Sequence, residues 1–79
     1  MLNFDLYAIW TSDNEYGGSI KEFFTSFKEA VEHRMEYANW WCSNGNICIE
    51  KYPAGSDFRA SDKWYINPDG TIQDHFKWR

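Results

Sequence analysis

The residues of this chain that could do chemistry are two cysteines, two histidines and twelve carboxylates. Five residues lie between Cys42 and Cys48, a wider gap than the paired cysteines of structural zinc sites use. His33 and His75 stand alone, so a shared metal site would need four distant side chains to converge. Two cysteines in a domain of ordinary composition are more typical of free thiols than of one disulfide. We therefore expect free thiols, no metal and no cofactor.

Catalysis would require acids, bases or nucleophiles to converge in a cleft. Asp74 and His75 are neighbours in a predicted strand, where adjacent side chains point to opposite faces. His33 follows Glu29 by four residues and precedes Glu36 by three, which is the spacing of surface ion pairs on a helix. The sequence contains no nucleophile elbow, phosphate-binding loop, dinucleotide fingerprint or zinc-protease motif. The sequence therefore predicts a protein that is not an enzyme.

The best candidate binding residues lie together on one predicted helix. Three glutamates recur at spacings of three and four residues, which brings them onto the ridge opposite the apolar stripe. Such a ridge is most often only the solvated face of a helix. The functional alternative is a negatively charged surface that attracts a basic partner and speeds its association. Neighbouring aromatic side chains would supply contact energy. The candidate partner-binding residues are Glu29, Glu32, His33, Glu36, Tyr37 and Trp40.

The charge distribution argues against direct binding of nucleic acid. The net charge is −4, with eight acidic and three basic residues over positions 1–50 and four acidic and five basic over positions 51–79. A protein that neutralises phosphates needs the opposite balance. No apolar run reaches the length of a membrane span, and the first residues lack the basic region of a signal peptide. We expect a cytoplasmic protein whose partner is a protein with a basic surface.

The element that must position the candidate residues is an amphipathic helix, predicted over residues 27–42. Ser26 and Glu29 have the spacing of a capping box, and Asn44 and Gly45 provide a stop signal. At about 100° per residue, the apolar side chains from Phe27 onward fall on one stripe.

Helical phase predicts different environments for two adjacent tryptophans. Trp41 falls at the edge of the apolar stripe, so we expect it to be buried and Trp41→Ala to cost about 3–5 kcal/mol. Trp40 lies about 100° further round, beside Tyr37, and is expected to face outward. Arg34 lies near the centre of the stripe. It either extends past the sheet edge, with its stem as apolar cover, or pairs with Asp74.

Alternation of apolar and polar residues predicts strands over residues 2–11, 46–52, 63–66 and 71–78, with a short strand at 20–24. Residues 12–19 are expected to form a loop in which Gly17 and Gly18 supply backbone freedom. The run Asn67-Pro68-Asp69-Gly70 predicts a tight turn that closes a hairpin. The predicted fold class is α+β, with one amphipathic helix packed on a four- or five-stranded antiparallel sheet. The order is β(β)αβββ, in one compact domain over residues 1–79.

Aromatic residues make up 20% of the chain, and one helix can cover only one face of a sheet. Both faces of the predicted strands nevertheless carry large side chains. The surplus either completes a thin core around the rim or forms a contact surface, including a possible homodimer interface. An aromatic sheet face could also stack bases or a sugar.

In general character, as a small acidic α+β domain rich in aromatic residues, the chain resembles small accessory proteins of phages and mobile elements. These include anti-CRISPR-like inhibitors that occlude a basic nucleic-acid groove on a host enzyme. The resemblance is one of type and rests on no aligned motif. It implies a non-enzymatic inhibitor that binds another protein. The alternative hypothesis is a small-ligand or single-stranded nucleic-acid binding domain that uses an aromatic sheet face.

Overall fold

The structure is a computed structural model that describes residues 1–42 and 47–78. Its elements follow the order β1 (Leu6–Asn14), β2 (Gly17–Phe24), α1 (Phe27–His33), β3 (Ile47–Tyr52), β4 (Asp62–Ile66) and β5 (Ile72–Lys77). All five strands form one antiparallel sheet in the order β2-β1-β3-β4-β5. The predicted α+β class with one helix on the sheet is confirmed, and the second strand is present.

The helix α1 starts where the sequence predicts. The Ser26 side-chain oxygen accepts a 3.0 Å hydrogen bond from the backbone N–H of Glu29, which satisfies one of the open donors of the first turn. The apolar side of α1 packs on the sheet through buried Ala30 and partly buried Phe27 and Val31.

The predicted extent of the helix is wrong, because α1 ends at His33 rather than near residue 42. A 3₁₀ turn (Arg34–Tyr37) follows, Ala38 is extended, and a second 3₁₀ turn covers Trp40–Cys42. Asn39 stabilises the segment between the two 3₁₀ turns: its side-chain oxygen accepts a 2.8 Å bond from the Trp41 N–H, and its amide donates a 2.8 Å bond to the Ser12 carbonyl. Side-chain bonds of this kind compete with helical backbone bonds. The predicted stop at Asn44 and Gly45 lies outside the described residues.

The predicted loop over residues 12–19 is also wrong. The strand β1 continues to Asn14, β2 begins at Gly17, and only two residues connect the strands. The side-chain oxygen of Asn14 accepts hydrogen bonds from the N–H groups of Tyr16 and Gly17, at 2.7 and 3.0 Å, which closes the turn. Gly17 and Gly18 are therefore the first residues of a strand.

The core lies between α1 and the side of the sheet that faces it. Strand alternation puts Ile9 of β1, Ile49 of β3 and Ile66 of β4 on this side, and all three are at most 1% exposed. Trp64 also lies here, with its ring 4.7 Å from that of Phe27 in an edge-on contact. This side is the helix side of the sheet.

The opposite side, which we call the open face, has no described helix packed on it. It presents aromatic side chains from all the strands, with three charged residues among them. Its aromatic residues are Trp10, Phe23, Tyr52, Tyr65 and Phe76, and its charged residues are Glu50, Lys63 and Asp74. Each of the five strands therefore contributes an aromatic side chain to the open face.

The turn between β4 and β5 forms as predicted. Gly70 donates a 2.9 Å backbone hydrogen bond to Asn67 and has a φ of 92°, a conformation that glycine adopts without strain. Arg34 reaches this turn from the end of α1. It forms hydrogen bonds with the carbonyl oxygens of Val31 and Pro68 and no ion pair with Asp74, so the predicted pair with Asp74 is wrong.

Candidate protein-binding surface

The six residues selected from the sequence lie along α1 and the two 3₁₀ turns that follow it. Glu29, Glu32, His33, Glu36 and Trp40 are exposed, and Tyr37 is half-buried against the core. Together with Glu22 of β2 they form what we call the acidic tryptophan surface. Lys28 is the one basic residue of α1 and forms a 3.9 Å ion pair with Glu32.

The change from α-helix to 3₁₀ turn brings His33 and Glu36 together. Residues three apart eclipse one another in a 3₁₀ turn. The Glu36 carboxylate accordingly contacts Nδ1 of His33, and the His33 ring stacks on Phe24 with 5.3 Å between ring centroids. Both members of the pair are about half exposed, at 49% for His33 and 64% for Glu36. This is a surface ion pair, as the spacing indicates.

Glu22 joins this surface through Tyr37. The Tyr37 hydroxyl donates a 3.3 Å hydrogen bond to Oε2 of Glu22. Burial, followed by the negative charges of Glu22 and Glu36, raises the pKa of the Tyr37 hydroxyl, which keeps it a hydrogen-bond donor. The sequence predicts that Asp13, Glu15 and Glu22 extend the acidic field if the N-terminal segment lies nearby. The hydrogen bond from Tyr37 puts Glu22 there, whereas Asp13 pairs with Lys21.

Trp40 is 75% exposed, in agreement with its expected outward position, but the expectation for Trp41 is wrong. Trp41 is 40% exposed and packs edge-on against Trp40, with 4.5 Å between ring centroids. Met35, which falls on the predicted apolar stripe, is 51% exposed. The helix ends before these residues, so the periodicity that assigned them to the core does not apply. Three large apolar side chains are thus exposed on the segment that follows α1.

His75 occupies the other end of the helix side, where its imidazole ring contacts Asp62 and only its backbone N–H bonds to its neighbour Asp74. Its Nε2 atom lies 2.9 Å from Oδ2 of Asp62, and its ring stacks on Trp64 at 4.7 Å. Ser61 donates a 2.8 Å bond to the same carboxylate. Burial acts to raise the pKa of Asp62, but the bonds from Ser61 and His75 outweigh it and lower that pKa.

This cluster does not have the order required for nucleophilic catalysis. In a catalytic triad the histidine lies between the serine and the carboxylate. Here the carboxylate of Asp62 lies between Ser61 and His75, so it holds both groups and activates neither. The contacts link β4 to β5, and we interpret them as structural.

The two cysteines are buried thiols that are not bonded to each other. Burial raises the pKa of the Cys48 thiol to about 11, which makes it a poor nucleophile at neutral pH. The described residues contain no group of three or more His, Cys, Asp or Glu side chains that could hold a metal ion. No cavity is found in the part of the chain that the structure describes. Over residues 1–42 and 47–78, no helix has the length and apolarity needed to cross a membrane.

Comparison of the chain with protein families, with curated proteins and with solved structures finds no match. The two surfaces that differ from ordinary solvated surface are the acidic tryptophan surface and the open face.

Proposed function

We propose that this protein is a small acidic interaction protein, without catalytic activity, that binds another protein through the acidic tryptophan surface. The observation that carries this proposal is the 75% exposure of Trp40 in the segment that directly follows Glu29, Glu32 and Glu36 in the chain. Leaving a large apolar ring in water forgoes about 2–3 kcal/mol of burial free energy. Tryptophan is also the residue type most enriched among the anchors of protein interfaces.

The partner suited to this surface has a basic surface around an apolar cleft. Glu22, Glu29, Glu32 and Glu36 would meet its lysines and arginines, while Trp40 enters the cleft with Trp41 and Met35 beside it. Basic surfaces of this kind commonly bind the phosphate backbone of nucleic acids. We therefore propose an inhibitor that occludes a nucleic-acid-binding surface of a host enzyme, in the manner of the anti-CRISPR-like proteins of phages and mobile elements.

The alternative hypothesis places a sugar or a single-stranded nucleic acid on the open face. Its support is the row of aromatic rings on that face, since bases and sugars stack on such rings. The charged residues of the face weigh against a nucleic acid, because Glu50 and Asp74 outnumber Lys63. A sugar is held mainly by contacts that salt hardly affects, whereas binding of a basic protein weakens as salt screens the charges.

The proposal is tested by capture of partners from a bacterial lysate on the immobilised full chain, followed by mass spectrometry. We expect to capture nucleic-acid-binding proteins, and we expect salt and added DNA or RNA to release them from the immobilised chain. The variant Trp40→Ala should lose them, because the anchor is removed, and its matched control Tyr16→Ala should retain them, since Tyr16 is 90% exposed in the β1–β2 turn.

The electrostatic part of the proposal is tested with two charge variants of equal net charge. Glu29→Gln with Glu32→Gln should slow association and reduce its salt dependence. Glu15→Gln with Asp57→Asn removes two exposed carboxylates outside the acidic tryptophan surface. This variant should change neither the association rate nor its salt dependence. Equal binding by the Trp40 variant, the Glu29 and Glu32 variant and the wild-type chain would contradict the proposed function. Recovery of a glycan or a free RNA in place of a protein would favour the alternative.

A further inference from the structure

The open face has a regular arrangement that follows from the strand register. Phe23, Ala8, Glu50, Lys63 and Phe76 are successive cross-strand partners and form one row across all five strands. A second row contains Trp10, Cys48, Tyr65 and Asp74 in the same strand order. We propose that a second copy of this chain covers this face. The two-fold axis would run parallel to the strands, between β3 and β4.

Charge complementarity is the first argument for this occupant. A two-fold axis between β3 and β4 places Glu50 of the first copy opposite Lys63 of the second. The same symmetry places Lys63 of the first copy opposite Glu50 of the second. Over residues 1–42 and 47–78, no ion pair within 4.0 Å involves Glu50, although Lys63 is its cross-strand partner. Its carboxylate is therefore available to the second copy.

The position of Lys63 agrees with this pairing. Its ammonium lies between two rings, 4.9 Å from the centroid of Trp10 and 5.3 Å from that of Tyr65. The same axis places Asp74 of the second copy opposite Trp10, so carboxylates of the second copy flank the ammonium. A charge removed from water must be paired to avoid a large desolvation cost, and the dimer provides that partner.

Exposed apolar area is the second argument. Phe76 is 47% exposed, and the axis brings it onto β1 of the second copy, at the position of Ala8. Ala8 is fully buried by side chains of its own chain, so Phe76 would pack on the side chains around it. Burial of this ring in both copies would favour association.

Other occupants fit the face less well. A nucleic acid would bring its phosphates against two carboxylates and only one lysine. A strongly charged protein would gain little electrostatic attraction, because the face is nearly neutral. With strands about 4.8 Å apart, the four strands that overlap about this axis measure roughly 19 by 20 Å, or roughly 400 Å² in projection. This is below the roughly 800 Å² per partner of a standard interface, so the dimer should be weak and concentration-dependent.

The experiment is sedimentation velocity on the full chain over a range of concentrations up to about 1 mM, close to the weak limit of specific association. We expect the wild-type chain to form dimers. Lys63→Glu and Glu50→Lys should each weaken dimerisation at least about tenfold, because like charges then face each other across the axis. An equimolar mixture of the two variants should form a heterodimer, since each Glu then meets a Lys. Charge effects confined to one chain cannot restore association on mixing.

Two further variants make the result decisive. Phe76→Ala should weaken the dimer at least about tenfold without charge change, and Glu32→Lys on α1 makes the same charge change as Glu50→Lys and should leave the dimer intact. Trp40→Ala should also dimerise normally, so failure of the proposed function and failure of the dimer are distinguishable. A wild-type chain that stays monomeric, or a mixture of Lys63→Glu and Glu50→Lys that does not associate, would overturn the proposal.

Discussion

Arg34 and Pro68 join the end of α1 to the β4–β5 turn through a 2.9 Å hydrogen bond from Nη2 to the carbonyl oxygen. Nη1 of the same guanidinium donates a 2.6 Å bond to the carbonyl oxygen of Val31. One side chain thus closes the last α-helical turn and holds it against a hairpin more than thirty residues away. The planar guanidinium suits this double role because its donors have a fixed geometry.

The first prediction concerns this contact. Arg34→Met retains the apolar stem and removes both hydrogen bonds, so it should lower the free energy of unfolding by about 1–3 kcal/mol. Arg34→Lys provides a single ammonium and should recover only part of the loss. Urea unfolding followed by circular dichroism measures both changes. An Arg34→Met variant as stable as the wild-type chain would show that the two bonds contribute nothing net.

The second prediction compares two adjacent glycines at the start of β2. A methyl group on Gly18 would lie 2.1 Å from the carbonyl oxygen of Thr11 and 2.7 Å from Cζ2 of Trp10. No described atom lies within 4 Å of the same position on Gly17. Gly18→Ala should therefore cost about 2–3 kcal/mol through displaced backbone, and Gly17→Ala should change stability by less than about 1 kcal/mol. Thermal unfolding of the two variants checks the difference, and equal melting temperatures would contradict it.

The third prediction separates the tryptophans that stabilise the fold from those that do not. Trp64 packs against Phe27 at 4.7 Å and against His75 at 4.7 Å on the helix side of the sheet. Trp64→Ala should cost about 3 kcal/mol or more, whereas Trp40→Ala should cost less than about 0.5 kcal/mol. Trp41→Ala should lie between them, below the 3–5 kcal/mol that its helical phase predicts. Chemical unfolding of the three variants gives the order, and a Trp41 variant less stable than the Trp64 variant would contradict it.

The fourth prediction concerns alkaline pH. Burial raises the pKa of the Cys48 thiol from 9.0 to about 11. Below pH 9 the thiol is protonated in both the folded and the unfolded chain, so it adds no pH dependence. Between pH 9 and about 11 only the unfolded chain loses this proton, and the folded state is destabilised progressively as pH rises. Burial raises the pKa of Tyr52 as well, in the same direction.

Cys48→Ala isolates the contribution of this thiol. The free energy of unfolding of the wild-type chain should fall more steeply from pH 8.5 to about 11 than that of the variant. Cys42→Ala provides a matched control at the other buried cysteine. Parallel curves for the wild-type chain and Cys48→Ala would show that this thiol ionises equally easily in both states.

Patterns that repeat over short distances were sufficient to predict the elements of the fold. Alternation identified strands that agree in place with β3, β4 and β5, and the Ser26 cap marked the start of α1. The Asn67–Gly70 turn was equally predictable, because its conformation depends on its own residues. The outward position of Trp40 followed from helical phase, although the helix ends before it.

Other features depend on contacts between residues far apart in the chain, and only the tertiary structure decided them. The amide of Asn39 donates a hydrogen bond to the carbonyl oxygen of Ser12, and the guanidinium of Arg34 donates one to that of Pro68; neither contact has a local sequence signal. The exposure of Trp41 and Met35 and the contact between Glu22 and Tyr37 have no such signal either. The sequence by itself determined which segments form strands, where the helix starts and where the β4–β5 turn lies, because those preferences are set by neighbouring residues. The ends of the helix and the composition of each surface depended on long-range hydrogen bonds and strand register, which form only when the sheet is assembled.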